Sequence, residues 1–231
     1  MRPPLTRRRL ALAVGALALA DWGAHRAGSS TVPGGPLDET AHLLTTLLWL
    51  WALGPRVMGQ FGAPALVASV AIDADHIPDR LGLDLLTAGT PRPYTHSLLT
   101  VAVVLAAALL WRRRRKVLLG VAFGLLVHFW RDLSEPGSGV SLLWPVAYRS
   151  FSLAHAGYLA GIAAVTLVAA WRAGSQPATA TEKTGGKRSA TLIQLRPASA
   201  EPNTSPEVAP KYSCSDSPSP AEAKAWRRTV R

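Results

Sequence analysis

One cysteine, Cys214, serves the whole chain of 231 residues, and it lies past the last apolar run. A disulfide framework is therefore excluded, and so is a zinc site built on thiolates. Strict apolar–polar alternation is missing as well. Leu and Ala dominate the apolar runs, so helix is favoured over strand. Long hydrophobic runs are scarce: a spanning helix takes ~20 residues. Of six apolar stretches (10–24, 41–53, 57–72, 98–110, 117–130 and 153–170) only the last comes close. Length alone thus leaves open short membrane spans or the buried helices of a soluble bundle. No internal repeat is evident.

Acid is also in short supply, with 14 Asp and Glu against 25 Lys and Arg and a net charge of +11. Such a balance suits nucleic acid or an acidic membrane surface. The basic residues cluster at Arg7-Arg8-Arg9, at 112–116 and through the C-terminal part, each beside an apolar run. That reads as membrane topology, and no nucleic-acid partner is expected. With the N-terminus in the cytoplasm and alternating spans, twenty of the 25 Lys and Arg fall inside and five outside. The acids and histidines were not used to set this topology, so they test it. All six histidines (His25, His42, His76, His96, His128 and His155) fall at or beyond outer helix ends, as do nine acids from Asp21 to Glu135. The other five acids lie in the tail, and the inner loops of the core hold none.

The expected fold is all-α, a polytopic membrane bundle of five or six short helices with a disordered C-terminal tail. Residues 1–30 form an N-terminal anchor or a signal-like helix. The start is Arg-rich with an eleven-residue apolar core, but Asp21 and Trp22 follow at once, which favours an uncleaved anchor. Residues 31–172 form the membrane-embedded domain. Residues 173–231, rich in Ser, Thr, Pro, Ala, Glu and Lys, form a basic cytoplasmic tail.

What is present is a set of His–Asp pairs at helix ends. His128 and Asp132 stand i,i+4 on one face. Imidazole and carboxylate are ligands for zinc, manganese or iron, although a plain buried His–Asp pair looks the same. Asp38 and His42 show the reverse order; Asp38 also suits a helix N-terminus. In Asp73-Ala-Asp75-His76-Ile-Pro78-Asp79 a helical phase sets Asp73 and His76 on one face, and Pro78 is expected to stop the helix. Three carboxylates so close repel each other, unless a solvated loop or a divalent ion accommodates them. Thr95 is a sound N-cap for the fourth helix, leaving His96 in its first turn. There a histidine gains nothing as a cation and serves better as a neutral ligand or acid–base group. The candidate ligands exclude His25 and His155.

The candidate ligands are His42, Asp73, Asp75, His76, His96, His128 and Asp132, with Asp79 and His96 as candidate catalytic groups. Four ligands satisfy one tetrahedral ion, so this many fit one or two divalent ions, zinc or manganese. A pair of ions lowers the pKa of bound water and clamps attacking and leaving oxygens. Arg92 and Arg131 are candidates to hold an anionic oxygen.

These segments resemble the YdjM-like family of bacterial inner-membrane-associated proteins regarded as metal-dependent hydrolases. The matches run in order over 38–150: Ala41-His42, Asp73-x-Asp75-His76-x-Pro78-Asp79, Thr95-His96-Ser97, His128-x-x-x-Asp132 and Gly139-Val-x-Leu-Leu143-Trp144-Pro145. The chain departs from the pattern at Pro91-Arg92, where His-Arg is usual, and at Ile72, where Pro is usual, so one ligand position of the family is absent. The His-x-x-x-Asp pair is also distantly similar to that of the all-α zinc phospholipases C. The resemblance implies a membrane-embedded helical protein carrying out metal-assisted hydrolysis. The expected substrate is a lipid or small phosphoester reached at the outer face of the bacterial inner membrane, with membrane lipid as partner and both termini cytoplasmic. The alternative is a non-catalytic membrane metal-binding or transport protein. Transport needs polar groups at mid-depth or on both sides, and the helix middles lack charge.

Overall fold

The computed structural model describes residues 5–28, 32–87, 90, 92–135 and 139–175. Six long helices form the bundle: α1 (Arg7–Ala27), α2 (Gly34–Leu53), α3 (Pro55–Ala71), α5 (Leu98–Leu110), α6 (Arg115–Asp132) and α7 (His155–Gly174). A 3-10 turn, Ile72–Asp75, joins α3 to the short α4, His76–Arg80. The expected all-α class holds. The run Pro55–Arg80 and α7 are each long and apolar enough to cross a membrane. The expected tail lies outside the described residues from 176 onward.

Local chemistry sets the helix ends. Thr6 caps α1 by accepting from the Arg9 amide at 3.3 Å. Gly54 takes φ +102°, which ends α2, and Pro55 opens α3 where its missing N–H costs nothing. Three expected boundaries move. α2 begins at Gly34, so Asp38 sits a turn inside the helix and is not its cap. Pro78 does not stop the chain's helical path; it occupies the first turn of α4, where no intrahelical donor is needed. α5 begins only at Leu98 with Ser97 as the extended N-cap residue, and the Thr95 hydroxyl donates to Asp75 instead.

Packing forms two apolar cores. Leu10, Ala13, Leu17, Ala20 and Ala24 form a three–four stripe on α1. Most of that stripe joins Leu48 and Ala52 of α2 and Val165 and Ala169 of α7. Val101 of α5 packs with Ala122, Leu125 and Phe129 of α6 in the second. α3 and α6 come closest at Gly120 and Gly124. A Cβ on Gly124 would stand 2.2 Å from the Ala65 carbonyl oxygen, and one on Gly120 would stand 2.6 Å from Pro64 Cγ. This small-xxx-small spacing lets backbones touch in an apolar medium. It carries the end of α3 against the end of α6.

The segment after α6 folds over the same end of the bundle. Val140 and Phe151 form an isolated antiparallel bridge. The Leu98 amide donates to the Leu142 carbonyl at 2.9 Å. Trp144 stacks on Tyr94 with centroids 4.6 Å apart. Trp144-Pro145, read from sequence as an interfacial anchor and a turn, thus packs against the turn that carries His96.

Candidate metal centre

Four pieces of chain converge. His42 comes from two turns inside α2, Asp73, Asp75 and His76 from the continuous 3-10 turn and start of α4, His96 from the segment before α5, and His128 and Asp132 from the last turns of α6. His42, His96, His128 and Asp132 are essentially inaccessible. His96 Nε2 lies 3.1 Å from Asp73 Oδ1 and 3.1 Å from His128 Nε2. His128 Nε2 lies 3.1 Å from Asp132 Oδ2 and 3.4 Å from Asp73 Oδ1. His42 Nε2 stands 3.3 Å from Asp132 Oδ1, and His76 Nε2 stands 3.7 Å from Asp73 Oδ1.

These separations suit a coordination sphere. Ligand atoms ~2.0–2.1 Å from a tetrahedral ion are roughly 3.3 Å apart. Two sets are close enough to hold an ion: Asp73, Asp75, His76 and His96, and His42, His128 and Asp132. They adjoin through the contacts His96–His128, Asp73–His128 and, at 3.6 Å, His96–Asp132. Burial supplies an independent test. His42 Nε2 and Nδ1, Asp75 Oδ1 and Asp132 Oδ1 are buried without a hydrogen-bond partner. Orphaned polar atoms of this kind are costly, and a divalent cation would satisfy the carboxylate oxygens and the one His42 nitrogen that faces them. The His42–Asp132 contact is close in distance but not aligned as a hydrogen bond, as expected for two atoms aimed at a shared point. The donor set is nitrogen and carboxylate oxygen, suited to zinc or manganese.

Neighbouring groups orient the ligands. The Ser69 carbonyl at 2.8 Å from His128 Nδ1 can only accept, so Nδ1 carries the proton and Nε2 presents its lone pair to the cluster. The His42 ring stacks on His128 at 3.8 Å. Arg92 reaches Asp132 Oδ2 at 3.1 Å with one amino group and Glu135 with the other. Burial opposes charge on Arg92, but Asp132 and Glu135 hold its guanidinium above the ordinary value. Burial pushes the Glu135 carboxyl up to about 6 in spite of Arg92. Burial likewise opposes charge on His96, while Asp73 and Asp75 against its ring raise it.

All seven sequence-derived ligand candidates thus meet at one end of the bundle. Asp79 does not join them: it is exposed and its hydroxyl contact is Thr87 at 3.5 Å. Arg131 is also drawn elsewhere, bound at 2.5 Å to Asp38 and at 2.7 Å to Asp21. Sequence reasoning missed Glu39, whose side chain reaches Asp73 and leaves one buried oxygen without a partner. Its signal was present, an acid three residues before His42 and hence on the same helix face. It also missed Ser69, which acts through its backbone and leaves no side-chain signature.

Compared with known proteins, residues 37–193 match the model of the YdjM inner membrane protein family. No curated protein and no solved structure matches. The matched span covers more than half of the chain and contains every residue of the cluster. The chain belongs to the YdjM inner membrane protein family.

Proposed function

We propose that this protein is a membrane-bound metal-dependent hydrolase acting on a lipid or phosphoester at the outer face of the inner membrane. The observation that carries the reading is the convergence of four imidazoles and three carboxylates from four separate pieces of chain, several of them buried and unpartnered. Divalent ions held by these residues supply Lewis acidity and an activated water. The chain's own groups do the rest. Arg92, set between Asp132 and Glu135, holds an anionic oxygen of the substrate. Arg131 instead pairs with Asp21 and Asp38, outside the ligand sets. Glu39 offers a carboxyl beside Asp73 as the acid–base group, in place of the distant Asp79. The distribution of Lys and Arg supports an orientation with both termini in the cytoplasm and the cluster outside.

Metal analysis of the detergent-purified full chain, with assays on p-nitrophenyl phosphodiesters and phospholipids, tests the proposal. Wild type should carry about one or two equivalents of zinc or manganese. His128→Ala should lose most of it and all activity. Unchanged metal content in His128→Ala removes the basis for the reading. Bound metal without hydrolysis of any ester would favour the non-catalytic alternative.

A further inference from the structure

An open groove of about 460 Å³ runs between α2 and α3. Its walls are apolar, with Leu43 on α2 and Leu66, Val67 and Val70 on α3. Leu43 is 39% exposed and Val67 is 66% exposed, so both face outward. Along either helix the lining spans four or five residue steps, about 6–8 Å.

The groove leads to the metal centre. Its polar side chains are Thr40 and Glu39. Thr40 spends its hydroxyl proton on the Pro36 carbonyl at 2.7 Å. Glu39 reaches Asp73, a ligand candidate, with its carboxyl. Glu39 also stands three residues before His42 and four before Leu43, a neighbour of both on the helix surface. So α2 turns a ligand to one side of Glu39 and a groove wall to the other. The partner segment repeats the arrangement: Val70 lines the groove and Asp73, three residues on, joins the ligand set.

The setting favours hydrocarbon as the occupant. The family is an inner membrane family. The run Pro55–Arg80 is long enough to span, and only 22% of its most apolar stretch is buried in the protein. Another helix fits the groove less well. Helices meet in lipid through small residues, and the closest such contacts of α3 are already used on α6, at Ala65 with Gly124 and at Pro64 with Gly120. What remains in the groove is a gap between branched side chains, open at the surface and suited to a thin flexible chain.

We propose that this groove seats the ester-proximal part of an acyl chain of the substrate lipid, and so sets the lipid's headgroup at the metal centre beside Glu39. The proposal rests on the hydrolase reading and narrows its substrate from any phosphoester to a membrane lipid. The groove is short, so it takes the first few methylenes and leaves the rest of the chain in the bilayer.

The test uses the full chain, loaded with zinc, in phosphatidylcholine nanodiscs. It is irradiated with phosphatidylglycerol carrying a diazirine near the ester end of one acyl chain, and labelled residues are located by peptide mass spectrometry. Leu43 and Val70 should label above Leu167, a 70% exposed residue of α7 that reports bulk lipid. Excess dodecylphosphonate, which has no ester to hydrolyse, should remove the groove labelling and spare Leu167. Ala71→Leu, which fills the groove, should also remove it. Val67→Phe fills the groove from an exposed position and serves if the first variant does not fold. Groove labelling that only equals Leu167, resists the phosphonate or survives in a folded variant overturns the proposal. An unlabelled groove does so too, and assigns the face to a second copy or another helix. Turnover of bis(p-nitrophenyl) phosphate by the same preparation keeps the two readings apart. Turnover without saturable groove labelling removes the acyl site alone. Saturable labelling without turnover of any ester removes the hydrolase reading and leaves the groove as a lipid-binding site.

Discussion

At Arg92 one side chain joins two kinds of residue. Its planar fork spans Asp132, a ligand candidate, and Glu135, which is not one. Lysine carries the same charge but as a point, without two divergent donors. Arg92→Lys should therefore keep its metal yet lose about 10–100-fold in activity, the scale on which groups supporting a metal site act. Paired measurement of bound metal and phosphodiester turnover checks this; loss of metal in step with activity would make Arg92 a determinant of the ligand geometry instead. Asp132→Asn is a different case, because Asp132 touches His42, His96, His128 and Arg92. Its amide should cost bound metal first, visible as a lower zinc or manganese content at equal protein.

Among the helices, α6 carries the most consequence. One face delivers His128 and Asp132, another meets α3 at Gly120 and Gly124, and Arg131 links it to α1 and α2. Gly124→Ala gains about 1 kcal/mol of helix propensity but sets a Cβ 2.2 Å from the Ala65 carbonyl oxygen, a backbone atom that cannot rotate away. Overpacking of this kind costs ~1–3 kcal/mol, so thermal unfolding in detergent should come at lower temperature, with metal affinity falling as α3 is pushed from α6. The α1 helix is tied in just as firmly, by its buried stripe and by Asp21. Asp21→Ala strips a partner from buried Arg131. Breaking a fully buried pair costs ~3–5 kcal/mol; Asp21 is 25% exposed, so the loss should be smaller, about 1–3 kcal/mol. A thermal melt of the variant measures it. Edman sequencing of the purified protein should also find α1 attached, since its removal would leave Arg131 short of a partner.

For the whole molecule the open quantity is orientation, and the single cysteine makes it measurable. Cys214 in the C-terminal part should stay unlabelled by a membrane-impermeant maleimide in intact cells and label after lysis. Asp84→Cys, introduced at an exposed position between α4 and α5, should label in intact cells. The reverse pattern would turn the cluster toward the cytoplasm and change which substrates reach it. That both reporters sit in one chain gives each measurement its own internal control.

Much of this protein is determined by sequence alone: helices follow from Leu- and Ala-rich runs, membrane residence from basic clusters beside apolar runs, and most ligand candidates from i,i+3 and i,i+4 spacing on single helices. Local spacing works for His128 and Asp132 because one helix presents both. It is silent where partners are distant in sequence. Asp38 reads as a helix cap but binds Arg131, 93 residues away. Thr95 reads as a cap but bonds Asp75. His155 reads as isolated but lines a cavity with Asp21 and Asp38. Only the tertiary structure decides those, because the free energy of a buried charge or lone pair depends on which groups other helices bring within a few ångströms of it, and no period in the sequence encodes that approach.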